Sequence, residues 1–289
     1  MALFNRRRDD ADPLVWGSRD NPERIAAAVN RDYTTADIPV DPQGTLYGPV
    51  AQGLSLSGPM ASPQNVKWNS LTDLGNFAAA GEVEQTLTQV WGIEDEEYWF
   101  TVLNCLVAGQ YGDSIAYHAA DIRTAAKRRR DVHTLDDNTW AHELTAESDR
   151  LEAPDGYADA LIEAIGPIRM AEQQLRAARL LAADEEVEAL SGYDLVRVCN
   201  VARWGVAFGW GGPHVVRNVA LAARDSVLAN HSSWRSYALS VTAGRMVTYP
   251  DTYGREVVDA IEWVRPYLDS RNSPWNHLPF PTEPVLGND

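Results

Sequence analysis

Residues Gly192 to Trp210 read GYDLVRVCNVARWGVAFGW. Wound at about 100° per residue, Leu195, Val198, Cys199, Ala202, Val206 and Gly209 share one arc, with Val201, Trp204 and Phe208 on the arc beside it. Arg197, Asn200 and Arg203 form a narrow polar sector. A helix apolar around most of its circumference is a central one, so this segment, about 191–209, is expected to be the buried axis of the fold. Its guanidinium groups are then enclosed, and an enclosed charge needs partners. Asp194, one turn before Arg197, is the local candidate.

Outward from this axis the pattern stays helical and strand alternation is sparse. Helices are expected at about 70–91, 94–109, 113–130, 136–149, 156–186, 213–230, 232–247 and 253–269, with Gly166-Pro167 breaking or kinking the long one. In 94–109, Trp99, Val102, Leu103, Leu106 and Val107 lie on one face, and Glu94 to Glu97 place negative charge in the first turn. Gly209, Gly211 and Gly212 before Pro213 read as a helix stop, a turn and a new helix start. They follow a helix rather than a strand, and no Gly-Lys-Ser/Thr completes a phosphate loop. Ser232-Ser233-Trp234 reads as an N-cap, and Gly244 inside a helix marks close approach of another backbone.

Pro39, Pro42, Pro49, Pro59 and Pro63 punctuate the first part of the chain, after a short helix at 22–30. This part is read as turns and extended pieces, either an ordered arm packed through Leu46, Tyr47, Val50 and Leu54 or a loose leader. Pro274, Pro279, Pro281 and Pro284 mark a closing segment anchored by Trp275 and Phe280. The expected architecture is all-α: an irregular multi-helix bundle around the buried central helix, with an extended N-terminal arm and a Pro-rich tail. Its parts are an arm (1–68), a helical domain (69–270) and the tail (271–289).

The 289 residues are ample for a core, and 45% hydrophobic with 23% charged residues is a globular composition. A net charge of −16 disfavours a polyanion as the main partner, so nucleic-acid binding is not expected. Two cysteines exclude a disulfide scaffold. The start, MALFNRRRDD, lacks the apolar stretch of about 7–15 residues of a secretory signal, and no run of about 18 apolar residues predicts a membrane span. A soluble, cytoplasmic protein is expected.

Trp91-Gly92-Ile93, Asp194-Leu195-Val196-Arg197, Arg203-Trp204-Gly205, Gly209, Ser233-Trp234, Tyr237 and Gly244-Arg245 together resemble the bacterial DUF1266 family over about residues 85–250. The resemblance implies a mostly helical bacterial protein; it implies no activity and brings no catalytic residues.

Tests for chemistry give little. His142-Glu143 begins a His-Glu-x-x-His pair, but residue 146 is Ala. His118 with Asp121, and His133 with Asp136 and Asp137, read as surface polarity rather than metal ligands. No Gly-x-Ser-x-Gly elbow occurs, and Cys105 and Cys199 read as core thiols. Glu185-Glu186 reads as a solvated helix end, as does the basic run Lys127 to Arg130. No catalytic residue, metal site or cofactor is expected.

Two functions follow. The first is a non-catalytic protein-interaction module of accessory or immunity type. Its ten tryptophans suit binding hot spots, and its acidity suits a basic protein partner. The second is an enzyme or small-ligand binder with an arginine-lined pocket, in which Arg197, Asn200, Arg203 and Arg245 hold an anionic ligand. Oligomeric state is left open.

Overall fold

The structure is a computed structural model describing residues 22–78, 81–249 and 253–285. In chain order its helices are α1 (Pro22–Asn30), α2 (Gly48–Leu56), α3 (Gly58–Ala61), α4 (Glu82–Gln85), α5 (Glu96–Val107), α6 (Ser114–Arg130) and α7 (Asp137–Arg150). They continue with α8 (Tyr157–Glu163), α9 (Ile165–Ala177), α10 (Gly192–Phe208), α11 (Pro213–Asn230), α12 (Trp234–Thr248) and α13 (Tyr253–Asp269). No strand occurs among the described residues, and the fold is an all-α multi-helix bundle.

The central helix forms where its apolar arcs place it. Every residue of α10 from Gly192 to Gly205 is buried, polar sector included. It packs against α5, α11 and α12, and touches α2 and α3. Gly209 at φ 105° ends it, and Pro213 opens α11 where a missing N–H costs nothing. Ser233 caps α12 by accepting from the Ser236 amide at 3.1 Å, and Asp95 caps α5 by accepting from Tyr98 at 2.8 Å.

Two close approaches set the helix spacing. A Cβ on Gly244 would come 2.3 Å from the Leu190 carbonyl oxygen, the backbone contact that a glycine inside a helix announced. A Cβ on Gly205 would lie 2.1 Å from the Trp99 ring, whose Nε1–H donates to the Val201 carbonyl at 3.0 Å.

Three stretches differ from their sequence reading. Residues 70–91 are not one helix: a 3₁₀ turn at Gly75–Ala78, the four-residue α4 and a wide turn at Thr86–Val90 replace it. Gly75 and Gly81, at φ 52° and 89°, take left-handed conformations at the start of the 3₁₀ turn and just before α4, so no single helix runs through them. The expected helix 156–186 breaks between Glu163 and Ile165, near Gly166-Pro167, and ends at Ala177. Beyond it Arg179 turns left-handed, and the Leu180 and Leu181 amides both point to the Leu175 carbonyl as those side chains bury.

The third stretch is the N-terminal part. Pro49 sits in the first turn of α2 and starts a helix instead of interrupting one. Leu54 and Leu56 are fully buried, while Leu46 and Tyr47, expected to pack, are exposed. α2 lies so close to α11 that a Cβ on Gly53 would be 1.9 Å from the Ala220 carbonyl oxygen. The closing segment is anchored as its aromatics suggested. Trp275 stacks on Trp234 at 5.3 Å, and Phe280 meets the Trp234 ring edge-on at 5.1 Å.

Candidate functional site

α10 and α12 bring Arg197 and Arg245 to one aromatic ring. The Arg197 guanidinium lies 4.2 Å from the Tyr193 ring centre, and that of Arg245 lies 6.0 Å from it. Tyr111 and Trp91 complete the surroundings of Arg197 at 5.2 and 5.4 Å. Its charge is taken by Asp194, with which it forms a buried ion pair, and its Nε–H donates to the Tyr193 carbonyl at 3.0 Å. Burial opposes the Arg197 charge, but Tyr193 and Asp194 outweigh it and raise the pKa. Asp194 also accepts from the Tyr111 and Gly112 amides at 2.8 and 3.2 Å, so the pair fastens the turn after α5 onto the central helix. Arg245 pairs with Asp259 at 3.2 Å and stacks on Trp263 at 4.1 Å.

Arg203 and Asn200 form a second group, set by different partners. Arg203 Nη1 donates to Asn200 Oδ1, Nε to the Ser70 carbonyl and Nη2 to the Trp68 carbonyl, each at 2.9 Å. No carboxylate forms a salt bridge with it among the described residues, and burial lowers its pKa. The guanidinium fork therefore clamps residues 68–70 to α10 through backbone dipoles.

A second buried polar centre was hidden in the charge runs. Arg123 and Glu172 are both fully buried and pair at 2.7 Å, with Arg123 stacked 4.4 Å from the Trp140 ring. Glu186 joins them, 2.5 Å from Arg169 and 3.1 Å from Lys127. The reading of Glu186 as a solvated helix end is thus corrected. It lies on an irregular segment after α9 and is 6% exposed. Lys127 points inward to it, while Arg129 and Arg130 close on Glu143 at 2.5 and 2.6 Å. A cation every third or fourth position shows that such partners are possible, but not which carboxylate the fold delivers.

The histidines and cysteines are dispersed. No group of three His, Cys, Asp or Glu suited to a metal occurs among the described residues. Cys199 is buried, and burial raises its thiol pKa; Cys105 is half-buried. His231 is buried beside the Tyr237 ring, with Nδ1 3.2 Å from the Val227 carbonyl and Glu188 as its charged neighbour. Burial lowers its pKa to about 4. Protonation then favours the unfolded chain, so its stabilising contribution is intact above the unfolded pKa near 6.5 and is lost as pH falls toward 4. Urea titrations should find His231→Leu free of a loss of up to about 3 kcal/mol across that window, relative to the native chain.

One surface stands out on the α5 side of the bundle. Phe100 and Phe208 are each 41% exposed, and the half-buried Trp210 lies 4.8 Å from Phe208. Behind them the buried Trp99 ring lies 4.8 Å from Phe100 and 6.0 Å from Trp210, so the aromatic surface is continuous with the core. Gly209 and Gly211, both at positive φ, turn the chain so that the Trp210 amide returns to the Gly205 carbonyl at 2.8 Å. Glu94, Asp95, Glu96 and Glu97 are all exposed. Glu96 and Glu97 precede Phe100 by four and three residues, which puts acid and aromatic on one helix face. Sequence reasoning passed over Phe100, although an aromatic outside the apolar stripe of α5 was its signal.

Fold and surface together define a helical protein with the arginines of its central helix buried and an acid-edged aromatic patch turned outward. The family described as "Protein of unknown function (DUF1266)" matches residues 86–280, and the chain belongs to that family. No curated protein and no solved structure matches it. No helix among the described residues is long and apolar enough to cross a membrane.

Proposed function

We propose that this protein is a non-catalytic interaction module, acting in the cytoplasm of a bacterium, that grips a basic protein through Phe100, Phe208 and Trp210. The exposed aromatic patch beside the acidic start of α5 carries the reading. Large apolar rings presented to solvent are the anchors on which binding energy concentrates, and neighbouring charges steer and select the partner. The net charge of −16 acts in the same direction. An anion pocket built on Arg197, Asn200, Arg203 and Arg245 is less well supported. Arg197 and Arg245 are engaged by Asp194 and Asp259, and Arg203 by Asn200 and two carbonyls.

The test is quantitative binding to whatever protein the native chain retains stoichiometrically from its own cells. Phe100→Ala with Phe208→Ala should weaken that complex by about thirtyfold or more. Glu96→Lys with Glu97→Lys should slow association and remove its salt dependence. A complex indifferent to both double variants, or a chain recovered alone, refutes the proposal.

A further inference from the structure

α6 and α7 leave between them a cleft of about 640 Å³, within the range of about 300–1,000 Å³ typical of small-molecule sites. Ile122, Ala125 and Ala146 give it an aliphatic lining, and the two alanines leave the space between the helices open. Glu143 and Glu147 also line it, but both are committed. Glu143 accepts from Arg129 and Arg130, and Glu147 accepts from Arg150 at 2.5 Å.

Asp121 is different. It is half-buried at the cleft wall, and no hydrogen bond reaches its carboxylate among the described residues. Burial pushes its pKa up to about 6, against a smaller opposing pull from Arg128 on the same helix. Across its other side stand Glu188 and Asn230. His118, one turn earlier, lines the same cleft and is fixed in orientation by the Tyr157 hydroxyl, 2.7 Å from Nδ1.

We propose that the α6–α7 cleft is a binding site for a primary alkylammonium ligand, its chain lying on Ile122, Ala125 and Ala146 and its head on the Asp121 carboxylate. A half-buried carboxylate without a protein donor has water alone for its hydrogen bonds, and an ammonium supplies both the countercharge and three N–H donors. A carboxylate or phosphate ligand would instead need Arg129 and Arg150, whose charges are already balanced by Glu143 and Glu147. The chain's excess of acidic groups raises the local concentration of cations further.

n-Pentylamine, which stays protonated throughout the pH range used, is the probe. It is titrated into the full chain and followed by the methyl signals of Ala125 and Ala146 and the ring signals of His118. Pentanol and pentanoate serve as uncharged and oppositely charged controls. Saturable binding of the amine well above pH 6 is expected, weakening as Asp121 takes up its proton below that value. Asp121→Asn, checked as folded by circular dichroism, should bind about tenfold more weakly or worse. Ala125→Leu, at an exposed position, fills the cleft without touching the charge and should abolish binding. The proposal is overturned if the amine shows no saturable binding, or if pentanol or pentanoate binds as tightly. It is equally overturned if the pH dependence persists in Asp121→Asn, which would place the titration on another group.

Discussion

Arg203→Ala should lower stability by about 3–5 kcal/mol in urea unfolding, among the largest effects of any single substitution in the chain. Three acceptors lose their donor at once: the Ser70 and Trp68 carbonyls and Asn200 Oδ1. A cavity is left where one of the largest fully buried side chains stood. The cost is not simply that of a lost charge, because no carboxylate among the described residues forms a salt bridge with Arg203, Asp73 acts on it only electrostatically, and its own burial is unfavourable. Arg203→Met separates these effects. It restores most of the volume and removes the buried charge, yet leaves the acceptors unsatisfied, so a loss of about 1–3 kcal/mol should remain. If Arg203→Met matches the native chain, the clamp on residues 68–70 contributes nothing to stability.

Glu172→Ala is expected to cost about 3–5 kcal/mol by the same measurement. Its Oε1 accepts from Arg123 at 2.7 Å and from the Val187 amide at 3.0 Å, and its Oε2 lies 3.1 Å from Arg169. Without it, Arg123 remains fully buried with Glu186 at 3.9 Å as its nearest carboxylate. The paired replacement Arg123→Met with Glu172→Met removes both charges and should lose clearly less than Glu172→Ala, since desolvating two ions consumes most of what their attraction returns. A single variant that loses under about 1 kcal/mol would mean that water or Glu186 already balances Arg123.

Much of the fold could be read locally. The apolar arcs of α10 placed the axis, the capping residue Ser233 placed a helix start, and Gly209 with Pro213 placed a stop and a start. Each is a signal complete within a few residues, because backbone hydrogen bonding and side-chain periodicity are short-range. α2 was not legible: its prolines suggested turns, and it is a helix held by packing on α11 at Gly53. Residues 70–91 carried helical periodicity that two left-handed glycines broke.

The candidate sites divide in the same way. Arg197's pairing with Asp194 is one helical turn long and was visible in the sequence. Arg203's two carbonyl acceptors lie more than a hundred residues earlier in the chain, and Glu186's partners come from α6 and α9. Nothing in a local pattern distinguishes a cation at a helix end that meets water from one that meets a buried carboxylate.

The sequence by itself determined that the chain is helical, that residues about 191–209 are its axis, and that their arginines require internal partners. The tertiary structure alone decided which carbonyls hold Arg203, which aromatics face solvent and which carboxylate lies half-buried without a donor. Periodicity and capping act between neighbours along the chain. Burial and charge pairing depend on which distant segments the closing of the core brings together.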